Sequence, residues 1–184
     1  MKRACKKPSN FGEAIQWKLQ IYLNALLMPN SIIGCQVIML HKVLITQSFG
    51  EQDKEKLTAQ LGKAQELLNV SKNISKNNPE ILVMQALLHT AWVAYDGATY
   101  GMTLSPKVSA LYAQAEQIAP NNPRVVLNKA EWAMGSARFF GQDTTPFCKD
   151  VEKALELFAN FKLETAFHPK WGKNRAEQIL ESCK

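Results

Sequence analysis

The residues able to do chemistry are few in this chain, and their spacing offers little to use. Cys5, Cys35, Cys148 and Cys183 stand far apart with no C-x-x-C pair. His41, His89 and His168 form no H-E-x-x-H and no Cys/His set at ligand spacing, so no metal constellation is legible. Cys35 lies in an apolar run and reads as a small buried hydrophobe; the four together fit reduced thiols. The glycines of "DGATYG" follow a helical stretch and lack the lysine of a phosphate-cradling loop. No G-x-S-x-G elbow occurs, so a hydrolase triad has no support. The expectation is a protein without catalysis, metal or cofactor.

Two weaker clusters remain. Glu131 sits on a weakly polar helix, where pairing with Arg138 or Lys129 is expected. His89, Tyr95, Tyr100 and Trp132 are chemically versatile. A deep pocket with convergent polar groups near the Tyr95–Tyr100 loop would make this a small-molecule binder or an enzyme.

Composition narrows the classes. The 184 residues are 46% hydrophobic and 21% charged, which suits one globular domain with a real core. The net charge of +6 is spread along the chain, and only "MKRACKKP" concentrates it. No nucleic-acid-binding signature follows that tail, which argues against nucleic acid as partner. The start carries no apolar signal-peptide core. The most apolar run, Ser31 to Ile45, is too short to span a bilayer and contains His41 and Lys42. It reads as a central core helix.

These residues must be positioned by helices, because apolar positions recur at helical spacing and no period-two strand is found. Eight helices are predicted. The first runs from Ser9 to Met28 and the second from Ser31 to about Phe49. The third covers Gln52 to Ile74, with Leu57, Leu61, Ala64, Leu67, Leu68 and Ser71 on one face. The fourth is Pro79 to Tyr95, followed by a loop, "DGATYGMTLSP". The fifth spans Ser105–Ile118 and the sixth Pro123–Phe139. After a second loop, "GQDTTPF", come Cys148–Phe161 and Asn174–Ser182. Asn122-Pro123 is a start signal, since proline at the first helical position sacrifices no intrahelical bond and asparagine caps the free amides.

The same device occurs twice. "ISKNNPEILVMQA" aligns without gaps on "IAPNNPRVVLNKA" at an offset of 44 residues, 118 minus 74. One helix-pair unit is therefore used more than once.

The second copy resembles the tetratricopeptide (TPR) repeat. Tyr112, Ala115 and Pro120 fall on its aromatic, small and proline positions, Ala130 on a small-residue position where helices meet, and Ala154 and Phe158 on the Ala-x-x-x-Phe step. In the first copy Ala64, Leu68 and Ser71 take those slots and Lys76 replaces the proline. Residues from about 30 onward are similar to small bacterial TPR-like proteins with an "NNPR" turn, an "FFG"-type loop and a closing "HPKWGK" segment.

The resemblance implies an all-α, right-handed stack of antiparallel helix hairpins in one domain, 9–184, behind the basic tail 1–8. Its units would be about 52–95, 105–139 and 146–182, with Trp171 covering the end of the stack. It implies a non-enzymatic scaffold that binds a protein or peptide in a groove lined by the first helix of each unit. Carried over residue by residue, that groove is Glu80, Val83, Leu87 and Thr90, then Arg124, Leu127, Glu131 and Met134. The lysines and asparagines of the family's carboxylate clamp are absent there, so an apolar or amphipathic helix fits better than an acidic C-terminus. Many such proteins are exported; the missing signal peptide leaves a cytoplasmic place open.

Overall fold

The computed structural model describes residues 42–162 and 170–183. The first predicted helix and most of the second lie outside the described residues, as do Cys5, Cys35, His41 and His168. Residues 42–48 are helical. They lead to α1 (Lys54–Ile74), α2 (Pro79–Tyr95), α3 (Gly97–Ile118), α4 (Pro123–Phe139), a 3-10 turn (Thr145–Phe147), α5 (Cys148–Asn160) and α6 (Lys173–Glu181). No strand occurs among the described residues. Each helix packs on the next, and α2 also packs on α4, so the fold is an all-helical stack.

The helix starts are written in the sequence. Asp53 accepts from the amides of Glu55 and Lys56, Asn78 from Glu80, Asp96 from Thr99, and Asn122 from Arg124 and Val125. Each cap satisfies amides that have no partner within the first turn. Pro79 and Pro123 follow their asparagines at the first helical position.

The 44-residue offset is visible in the packing. Ala64 and Val108, Leu68 and Tyr112, Ser71 and Ala115 are buried pairs on α1 and α3; Val83 and Leu127, Ala86 and Ala130 are buried pairs on α2 and α4. Two apolar clusters result. Ile45, Leu57, Leu61, Leu68, Val83, Met84, Val108 and Tyr112 form the first. Leu127, Ala130, Met134, Val151, Ala154 and Ala176 form the second. Helix α4 divides them: Val125 faces the first and Val126 the second.

Three expectations are corrected. "DGATYGMTLSP" is not a loop but the first half of α3, which starts at Gly97 rather than Ser105. The cap from Asp96 and the packing of the Tyr100 ring against Trp92, 5.0 Å between centroids, outweigh the helix-breaking tendency of Gly97, Gly101 and Pro106. "GQDTTPF" ends in the 3-10 turn that feeds α5. The cysteines are not all reduced: Cys148 and Cys183 form a disulfide, Cα–Cα 6.1 Å, joining the start of α5 to the turn after α6.

Gly172 precedes α6 at φ 112°, and a Cβ there would overlap the Phe158 ring. Only glycine meets both demands.

Candidate functional site

The predicted groove residues prove to be mostly interior. Glu80, Val83, Arg124, Leu127 and Met134 are buried, and Leu87, Thr90 and Glu131 are half-buried. The cause is the chain itself. Leu44 and Ile45 of the helical segment 42–48 join the first core cluster. The Lys42 ammonium sits 4.0 Å from the Trp171 ring centre.

At that place lies a buried polar cluster. Arg124 Nε donates to Glu80 Oε1 at 2.5 Å, with the two side chains 1% and 8% exposed. Asn122 Nδ2 donates to the same oxygen at 3.2 Å. The guanidinium lies over Phe161 and Trp171, 4.8 and 5.7 Å from their centroids, as the ring quadrupole favours. Burial, and then the nearby Arg124 charge, bring the Lys42 pKa down to about 8 against a lesser opposing pull from Glu131. The Glu80–Arg124 pair ties α2 to α4.

Glu131 pairs with Arg175 of α6, 2.7 Å from Nε to Oε1. The expected partners were Arg138 and Lys129, and Lys129 instead bonds Glu116 at 2.6 Å. The helix crossing decides this, because α6 brings Arg175 to the Glu131 face of α4. A polar cleft of about 210 Å³ beside this pair is lined by Glu131, Met134, Arg138, Arg175, Gln178, Ile179 and Ser182.

A larger cleft, about 510 Å³, runs along α2 between α1 and α3. Gln65 and Lys72 come from α1, Gln85 and His89 from α2, and Lys107, Ala110, Leu111 and Gln114 from α3. Each set recurs at three-, four- or seven-residue spacing, so one face of each helix forms the wall. Ala110 and Leu111 give an apolar patch.

The polar part of this cleft is built, not merely solvated. Gln85 is buried. Its Oε1 accepts from Gln65 Nε2 at 3.0 Å and from Lys72 Nζ at 3.1 Å. Its Nε2 donates to Gln65 Oε1 at 2.7 Å and lies 3.4 Å from His89 Nε2. Burial, then Lys107 and Lys72, lower the His89 pKa below its ordinary value, which favours the neutral ring.

Of the four versatile residues read from the sequence, His89 alone lines this cleft. Tyr100 packs on Trp92, Tyr95 packs against the core, and Trp132 Nε1 donates to Ser109 Oγ at 3.1 Å. Lys72, Gln85 and Lys107 were missed, because lysines and glutamines on a helix face look like solvated surface.

No group of three or more His, Cys, Asp or Glu able to hold a metal ion occurs among the described residues. No helix among them is long and apolar enough to cross a membrane.

No protein-family profile matches the sequence, and no curated protein matches it. Among solved structures, the chain is similar to the HusA haemophore from Porphyromonas gingivalis, with a TM-score of 0.72 at 20% identity. The match covers 82% of this chain and 74% of that one. At that identity the likeness speaks for a shared helical fold.

Proposed function

We propose that this chain is a non-enzymatic binding protein whose ligand is a tetrapyrrole, an apolar planar ring with carboxylate substituents, held in the α1–α2–α3 cleft. The observation that carries the reading is the cleft itself. Two ammonium groups, Lys72 and Lys107, and one imidazole, His89, surround the apolar patch of Leu111 and Ala110. The cleft is shallow and open, about 510 Å³. Each lysine ammonium can donate to a carboxylate in a charge-assisted hydrogen bond, the stronger kind. The name of the similar structure, a haemophore, points to the same ligand chemistry.

A TPR-type ancestry of the stack is consistent with the 44-residue unit and its small residues at helix crossings. The peptide scaffold has less support, because five of its eight groove residues are interior. The Cys148–Cys183 bridge favours an oxidising compartment, where disulfides persist.

The test is a titration of protoporphyrin into the protein, followed by tryptophan fluorescence. Saturable binding that weakens by about ten- to a hundredfold in Lys72→Glu/Lys107→Glu, a loss of roughly 1.4–2.8 kcal/mol, with unchanged circular dichroism, would support the reading. Absent binding, or equal affinity in the double variant, would refute it.

A further inference from the structure

We propose that the cleft between α4 and α6 binds a small oxyanion, a phosphate or a carboxylate, on the guanidinium of Arg138; the inference is independent of the α2 cleft and its ligand. Two helix faces build the walls. Glu131, Met134 and Arg138 follow one another on α4 at steps of three and four residues, as do Arg175, Gln178 and Ser182 from α6 into its C-cap. Residues so spaced share one face of a helix, here over about two turns, or roughly 10 Å. Met134 and Ile179 lie buried beneath the polar groups. Cys183, next to Ser182, is bonded to Cys148 at the start of α5, so the α6 wall is held covalently to the stack.

The charges in this cleft do not cancel. Glu131 Oε1 accepts from Arg175 Nε at 2.7 Å, and those two neutralise each other. Arg138 lines the same cleft, and among the described residues its guanidinium has no ion-pair or hydrogen-bond partner. One positive charge is therefore left over, near a Gln178 amide that is equally unpartnered among them. Ser182 Oγ gives its proton to the Ile179 carbonyl at 2.6 Å and adds no donor. A guanidinium fork meets a carboxylate or phosphate through two parallel charge-assisted bonds, and an amide NH2 can supply a further donor. The Glu131 carboxylate repels a second negative group, so one small anionic head fits better than an extended polyanion. The volume agrees: about 210 Å³ is less than drug-sized ligands occupy.

The test titrates inorganic phosphate and, separately, acetate into isotope-labelled protein at constant ionic strength. The readouts are the backbone amide and arginine side-chain NMR signals. Wild type is expected to saturate with a dissociation constant of about a millimolar or tighter, with shifts concentrated at Arg138, Arg175 and Gln178. Saturation by both anions, or by one alone, supports the site and identifies the source of the oxyanion. Arg138→Gln, a change at an exposed position, is expected to weaken binding about tenfold or more, whereas Lys76→Gln, which removes the same charge from the turn between α1 and α2, should change it less than about twofold. Circular dichroism should be the same for all three proteins. Equal weakening in the two variants would mean general attraction to a basic chain and overturn the site. So would shifts that never saturate, or an affinity that Arg138→Gln leaves unchanged.

Discussion

Glu80 and Arg124 stand 44 residues apart in sequence and 2.5 Å apart in space, each directly after the proline that starts its helix. Arg175 and Glu131 are also 44 residues apart and join α6 to α4, two helices further on. The first pair joins equivalent positions of the two repeat copies and is buried; the second is at the surface. Their worth differs accordingly. Removing one member of the buried pair leaves an uncompensated interior charge, whereas the exposed pair is screened by water.

Arg124→Leu should therefore destabilise the fold by about 3–5 kcal/mol. Glu80→Leu/Arg124→Leu should lose less than either Glu80→Leu or Arg124→Leu alone, because no lone charge remains inside. Urea denaturation of the three variants gives the cycle. A double variant as damaged as the sum of the singles would contradict the pairing.

The Cys148–Cys183 bridge closes a 35-residue separation. Its reduction should cost about 3–4 kcal/mol through the freed unfolded chain. Thermal melts with and without reductant should separate clearly, and Cys148→Ser/Cys183→Ser should melt as the reduced protein does. Melts that superimpose would show that the bridge does not constrain the chain.

Gly172→Ala should cost about 1–3 kcal/mol by combining an unfavourable φ with overlap on Phe158. Phe158→Leu in the same chain should recover part of that loss, because it removes the overlap and leaves the φ strain. Melting temperatures of the single and double variants decide between the two causes.

Lys42 titrates at about 8 in the folded protein against 10.5 as its ordinary value. Between those values the unfolded chain holds the proton and the folded chain does not, so the lysine's contribution to stability rises with pH. Lys42→Met should be more stable than wild type at pH 7. After discounting for the partly exposed ammonium, the gap should be about 1–2 kcal/mol. It should shrink as pH rises from about 8 to 10.5. Chemical denaturation at four pH values tests this; a gap independent of pH would place the Lys42 pKa at its ordinary value.

Much of the fold was legible because its signals are local. Asn78-Pro79 and Asn122-Pro123 name their helix starts, and both helices end where periodicity ends, at Tyr95 and Phe139. The start of α3 was misread because Gly97, Gly101 and Pro106 carry breaker chemistry, while the cap from Asp96 and the Trp92–Tyr100 contact depend on the folded hairpin. The disulfide was invisible because nothing local pairs residues so far apart; the packing of α5 on α6 brings them together. The candidate cleft was only one-eighth legible, through His89. Gln65, Lys72, Gln85 and Lys107 belong to three helices, and their types acquire meaning only when α1 and α3 flank α2. Of the eight groove positions, Glu80, Val83, Arg124, Leu127 and Met134 are buried. They follow a pattern that presumes an open face, and here residues 42–48 pack into the core beside it.

The most direct test is to map the ligand on the protein by amide NMR, adding diamagnetic zinc protoporphyrin to isotope-labelled chain. The account predicts saturable shifts concentrated at Gln65, Lys72, Gln85, His89, Lys107, Leu111 and Gln114. Shifts concentrated instead around Glu131, Arg138, Arg175 and Gln178, or none that saturate, would contradict the assignment of the cleft.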